Sequence, residues 1–187
     1  LAPGMAPALY NLGFALESLD RMDEALAAYR RTVAAAPQLA DAHNNLGNLL
    51  QKLKRPDEAL AAFDQAVALR PEVAEYQMNR GNALRDLERL EEAVATYEAA
   101  LQLKPGLLEG HINLALAFYK LGRYEDSVQV SQRTIEQRPD SFEAYQNLGH
   151  ALKRLRRHAE ALEAYRHTVE LRPDDAQAHK DLGVALK

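Results

Sequence analysis

Residues 40–73 read ADAHNNLGNLLQKLKRPDEALAAFDQAVALRPEV, and residues 142–175 read FEAYQNLGHALKRLRRHAEALEAYRHTVELRPDD. The two stretches share one register: Asn45, Leu46 and Gly47 fall on Asn147, Leu148 and Gly149, and Leu69, Arg70 and Pro71 fall on Leu171, Arg172 and Pro173. Outward from them, Gly13, Gly47, Gly81, Gly149 and Gly183 lie 34 residues or a multiple of 34 apart, with Ala115 in the one gap. Pro3, Pro37, Pro71, Pro105, Pro139 and Pro173 follow the same ruler and account for six of the eight prolines. A fixed period of this size is the mark of stacked repeats, each a small unit that buries its apolar face against its neighbours.

Within a period, apolar residues recur at helical spacing in two blocks, as in Leu46, Leu49, Leu50 and Leu53, then Leu60, Phe63, Ala66 and Val67. Each unit therefore predicts two short helices. A Gly and an Ala at fixed points where the helices face each other let the backbones come close, and a larger residue there would overpack the contact. The second helix opens on carboxylates (Asp23, Glu24; Asp57, Glu58; Glu91, Glu92; Glu125, Asp126) and closes on Arg70, Lys104, Arg138 or Arg172 before proline. Both ends complement the helix dipole. Pro56 suits a first helical position, where its missing N–H costs nothing.

With units numbered from Ala6, Ala40, Ala74, Leu108, Phe142 and Ala176, position 7 reads Leu12, Leu46, Arg80, Leu114, Leu148 and Leu182. Position 11 reads Leu16, Leu50, Leu84, Phe118, Leu152 and Leu186; position 20 reads Ala25, Ala59, Ala93, Ser127 and Ala161; position 24 reads Tyr29, Phe63, Tyr97, Ser131 and Tyr165. This pattern resembles the tetratricopeptide repeat over essentially the whole chain. The resemblance implies an all-α, right-handed superhelical solenoid of helix-turn-helix hairpins. Departures are Leu9, His43, His111 and His179 where the family favours Trp, and a degenerate fourth unit carrying Ala115, Ser127 and Ser131. That unit is expected to fold with looser packing between its helices.

The register predicts the end of a preceding repeat at 1–5, five units at 6–39, 40–73, 74–107, 108–141 and 142–175, and a first helix or cap at 176–187. Both ends stop inside a repeat. A longer parent protein is therefore expected, and the exposed faces favour end-to-end self-association.

Composition narrows the function. Hydrophobic residues make 47% of the chain but aromatics only 6%, with no Trp, so Ala, Leu and Val must build the core on closely approaching helices. A formal charge of −4 and a pI near 5.9 supply no overall positive field for nucleic acid or an anionic membrane surface. The absence of Cys removes disulfides, thiolate nucleophiles and Cys-based zinc sites, and fits a cytoplasmic location. No apolar run approaches the roughly 18 to 20 residues that span a bilayer.

No phosphate-binding glycine loop, nucleophile elbow or H-E-x-x-H motif occurs, so no catalytic residue, metal or cofactor is expected. His43, His111 and His179 read as structural occupants of position 4, too far apart for a shared metal. Arg80 stands where Leu is expected and should reach solvent or an acid such as Asp86 or Glu75, since a buried charge is costly unless paired. Lys153, Arg154, Arg156, Arg157 and His158 form the notable cationic run; Arg157 belongs to a turn series with Arg21, Arg55, Arg89 and Arg123.

The resemblance also implies that the first helices line a concave groove. Position 6 then forms a row of Asn11, Asn45, Asn79, Asn113 and Asn147, ending in Asp181. An Asn amide donates and accepts, so it can pair with an extended peptide backbone or brace a neighbouring helix. The row is similar to that in the repeats of O-linked N-acetylglucosamine transferases. Lys52, Arg85, Lys120 and Arg154 are the candidate charged groove residues, with cations richer toward the C-terminal half. The carboxylate clamp of co-chaperone repeats is absent, because position 2 carries Asp41, Glu75, Glu109, Glu143 or Gln177. The expected function is a protein- or peptide-binding scaffold. The alternative is the substrate-recognition arm of a larger glycosyltransferase.

Overall fold

The computed structural model describes residues 5–186. Among these, eleven helices run in order: α1 (Met5–Ser18), α2 (Met22–Ala35), α3 (Ala40–Lys52), α4 (Pro56–Leu69), α5 (Ala74–Asp86), α6 (Leu90–Leu103), α7 (Leu108–Lys120), α8 (Tyr124–Gln137), α9 (Phe142–Arg154), α10 (His158–Leu171) and α11 (Ala176–Ala185). The described residues contain no strand. Pro3 and Lys187 lie outside the described residues, as does the expected remnant of a preceding repeat apart from Met5, which already belongs to α1.

Two compact units divide the chain, Leu1–Lys104 and Pro105–Lys187. In the first, the hairpins α1 with α2, α3 with α4, and α5 with α6 stack in series, α2 on α3 and α4 on α5. In the second, α7 pairs with α8 and α9 with α10, α8 packs on α9, and α11 lies against α10.

The glycine register explains how the hairpins close. A methyl group on Gly47 would lie 2.5 Å from the Phe63 ring, and on Gly13, Gly81 and Gly149 it would meet Tyr29, Tyr97 and Tyr165 at 2.5–2.7 Å. The second helix therefore lays a fully buried ring directly on the backbone of the first. The fourth hairpin closes differently. Ala115 supplies the methyl that glycine omits, Ser131 replaces the ring, and Ser127 Oγ donates to the Ala115 carbonyl at 2.8 Å. All three are buried, although the Ser131 hydroxyl is left without a partner among the described residues.

The first helices α1, α3, α5, α7 and α9 also end in one way. Asp20, Lys54, Glu88, Gly122 and Arg156 adopt left-handed backbone with φ between 55° and 77°. The N–H of the next residue (Arg21, Arg55, Arg89, Arg123, Arg157) then donates at 2.9 Å to the carbonyl five residues back. This closure satisfies carbonyls that a helix end leaves open. The same arginine turns its guanidinium onto the carboxylate three residues on, as in Arg21 with Glu24 and Arg157 with Glu160, both at 2.7 Å from Nε. Those arginines hold Glu24, Glu58, Glu92 and Glu160 below the usual carboxylate range. The acids read from sequence as dipole partners are thus also the anchors of the arginine series.

Candidate functional site

In the first unit, α1 and α3 enclose a cavity of about 550 Å³ whose walls include Phe14, Glu17, Asn45, Asn48, Gln51 and Lys52. The Phe14 ring is 63% exposed. Lys52 Nζ pairs with Glu17 Oε1 at 2.6 Å, and Glu17 also accepts from the Tyr29 hydroxyl at 3.1 Å. Burial first, then the Glu17 charge, pushes the Tyr29 phenol above its ordinary value. Beyond the cavity, Gln51 Nε2 donates to Asp86 at 3.2 Å, and Arg85 pairs with the other oxygen of that carboxylate at 3.2 Å.

The asparagines use their amide N–H groups sideways. Asn45 Nδ2 donates to the Tyr10 hydroxyl at 2.7 Å, Asn79 Nδ2 to Asn44 Oδ1 at 2.8 Å, and, in the second unit, Asn147 Nδ2 to the Ile112 carbonyl at 3.1 Å. Each acceptor sits on the first helix of the preceding hairpin, 35 residues back. Asn11 is exposed on α1, Asn45 lines the cavity, and Asn113 and Asn147 are only 8% exposed, so a ligand reaches little of the last two. The bracing acceptors at Tyr10, Asn44 and Ile112 were missed in sequence, because nothing marks them until the hairpins are stacked.

The second unit has a cavity of about 380 Å³ lined by Tyr119, His150, Lys153, Arg154, Tyr165 and Asp181. Its walls are linked rings: His150 lies 6.0 Å from Tyr119 and 5.8 Å from Tyr165 between centroids, and Tyr119 lies 5.6 Å from Tyr124. The Arg154 guanidinium stands 4.8 Å over the Tyr124 ring. Asp181 Oδ2 bonds His150 Nε2 at 3.1 Å while its other oxygen accepts from Gln177 at 2.8 Å. Burial, followed by the Asp181 charge, raises the Tyr165 phenol. Lys120 ends α7 as an exposed cation.

Several candidates resolve into structure. His43, His111 and His179 each place Nε2 2.7–2.9 Å from the carbonyl of Pro37, Pro105 or Pro173, locking the start of a first helix to the chain that enters it. Arg80 meets neither Asp86 nor Glu75. Its Nε binds Asp64 on α4 at 2.6 Å and its Nη1 donates to Thr96 on α6 at 2.9 Å, so one flanking second helix neutralises the charge and the other satisfies a donor. Among the described residues no cluster of His, Asp and Glu could hold a metal, and no helix is long and apolar enough to cross a membrane.

Such a molecule belongs to the class of helical-hairpin stacks whose first helices carry open, polar-lined cavities. Four tetratricopeptide repeat models match the sequence, over residues 4–72, 44–107, 84–152 and 142–175. The chain belongs to the tetratricopeptide repeat family. Among solved structures it is similar to MamA 41-end from Desulfovibrio magneticus RS-1, with TM-score 0.86 and 21% identity over 92% of this chain and 98% of that one. YrrB, described as a TPR protein with an unusual peptide-binding site, gives TM-score 0.80 and 22% identity over 92% and 89%. PilW, a type IV pilus biogenesis factor, gives 0.82 and 20% over 99% and 89%. At these identities the likeness establishes the fold. No curated protein matches the chain.

Proposed function

We propose that this chain is a protein- and peptide-binding scaffold that takes an extended segment against its first helices and performs no reaction of its own. The observation that carries the reading is the first unit's cavity, where the exposed Phe14 ring stands beside the amides of Asn45, Asn48 and Gln51. An extended peptide supplies N–H and C=O groups for the Asn48 amide and an apolar side chain for the ring. The peptide-binding site described for YrrB, on a like fold, supports the same kind of ligand. So does the likeness of the asparagine row to the repeats of O-linked N-acetylglucosamine transferases. In this reading Asn11, Asn45, Lys52 and Arg85 contact ligand in the first unit and Lys120 and Arg154 in the second. Asn79 and Asn147 brace the helices that present them, and Asn113 is buried. The substrate-arm alternative would use the same surface, and no described residue favours it.

Fluorescence anisotropy with a labelled pool of neutral dodecapeptides, built from Leu, Gln and Ser, tests this. The expected result is saturable binding that is lost in a Phe14→Ala/Asn48→Ala variant of unchanged helicity. Binding that is absent, or indifferent to that variant, defeats the proposal.

A further inference from the structure

We propose that the second unit's cavity holds a carboxylate side chain of the bound segment, so that an acidic extended peptide is the ligand this unit selects. The inference rests on the reading of the first helices as a peptide-binding face and adds the charge of the peptide.

Four positions that share a register, three 34-residue periods apart, carry the contrast. In the first unit they are Glu17, Asn48, Gln51 and Lys52, and in the second Tyr119, His150, Lys153 and Arg154. In the first unit the cation meets its own counter-ion, Lys52 against Glu17 at 2.6 Å. In the second, Tyr119 stands where that glutamate stood. Arg154 has turned onto the Tyr124 ring instead, and among the described residues neither Lys153 nor Arg154 pairs with a carboxylate. The cavity's one acid, Asp181, is held by His150 and Gln177 and is 16% exposed at its side chain. It leaves both cations uncompensated.

Guanidinium and ammonium donors in a partly enclosed site bind a carboxylate through charge-assisted hydrogen bonds. The half-buried Tyr119 ring suits the methylenes of a glutamate behind that carboxylate. The rest of the cationic run takes no part, since Arg157 is spent on Glu160 and Arg156 forms the left-handed turn.

The test uses C-terminally amidated dodecapeptides in two versions, one carrying Glu and the other Gln at the same places. Their affinities are read by anisotropy at low salt. The Glu peptide should bind about tenfold more tightly, with the gap narrowing as salt is added. Lys153→Gln/Arg154→Gln should close the gap by bringing the Glu peptide down to the affinity of the Gln peptide, with the helical circular dichroism signal unchanged. Arg133→Gln, on an exposed position of α8, should leave the gap intact. Equal affinity for the two peptides, or a gap that survives the double variant, overturns the proposal while the peptide-binding face stands. Loss of binding by both peptides overturns the face and the inference together. A neutral peptide with a free C-terminus that matches the Glu peptide would assign the cavity to a chain end and overturn the side-chain assignment.

Discussion

The two units solve the same packing problem with different interiors and present different surfaces. All three hairpins of the first unit seat an aromatic ring on a glycine, whereas the second unit does so only in α9 with α10 and closes α7 with α8 by Ala115, Ser127 and Ser131. The fold thus requires a filled contact between the two helices of a hairpin, which two side-chain pairings supply. Outside, the first unit's cavity neutralises its cation with Glu17, and the second leaves Lys153 and Arg154 open. One backbone therefore displays two chemistries, set by a few positions on the first helices.

The largest expected effect tests the interior half of that contrast. Gly47→Leu drives a side chain into the Phe63 ring and should cost about 3 kcal/mol in urea denaturation, the upper end for overpacking. Ser131→Phe should likewise destabilise the second unit, and Ala115→Gly in the same chain should restore much of the loss. If Ser131→Phe alone is neutral, the fourth hairpin has room that its burial denies.

Alkaline titration comes next. Burial and then the hydrogen bond to Asp41 push the Tyr76 phenol up to about 12, and Tyr29 and Tyr165 are raised further, chiefly by burial. A raised phenol stabilises the fold fully below the unfolded value of 10.0 and loses that contribution as pH climbs through the folded value. Far-UV circular dichroism should accordingly report falling stability from pH 10 upward, and Tyr76→Phe should move the midpoint to higher pH. An unchanged midpoint would remove Tyr76 from the account.

Smaller changes sharpen the asparagine reading. Asn147→Ala removes a buried donor to Ile112 and should cost about 1 kcal/mol, whereas Asn11→Ala, on an exposed position, should leave the melting temperature unchanged. Equal losses at both would mean that exposure does not separate brace from groove. The smallest effect lies in the turns. Gly122→Ala should cost about 1 kcal/mol because φ is 77° there, and Glu88→Gly should give at most a few tenths of stabilisation, since glycine also loosens the unfolded chain. A larger gain at Glu88 would show that its left-handed backbone stores more strain than is usual.

Much of the fold was legible in the sequence. The period, the two helices per unit and the close approach at Gly13, Gly47, Gly81 and Gly149 all follow from spacing, because a helix repeats every 3.6 residues and a buried face must recur with it. Pro56 at the start of α4 and the first-turn acids were readable for the same local reason. The left-handed turn was not, since four of its five occupants are Asp, Lys, Glu and Arg rather than glycine, and only the hydrogen bond that closes each helix fixes the backbone there.

What only the tertiary structure decided are the partners that lie one hairpin away. Arg80 pointed by sequence to acids on its own helix but is satisfied by Asp64 and Thr96, each 16 residues off on flanking helices. The amides of Asn45, Asn79 and Asn147 point by sequence equally to a ligand or a neighbour, and stacking supplies acceptors 35 residues back. Whether a groove cation is neutralised depends likewise on the side chain that the preceding hairpin sets beside it, Glu17 for Lys52. Spacing along the chain fixes which face a residue occupies, but the offset between stacked hairpins fixes what it meets, and that offset is a property of packed surfaces rather than of any local run of residues.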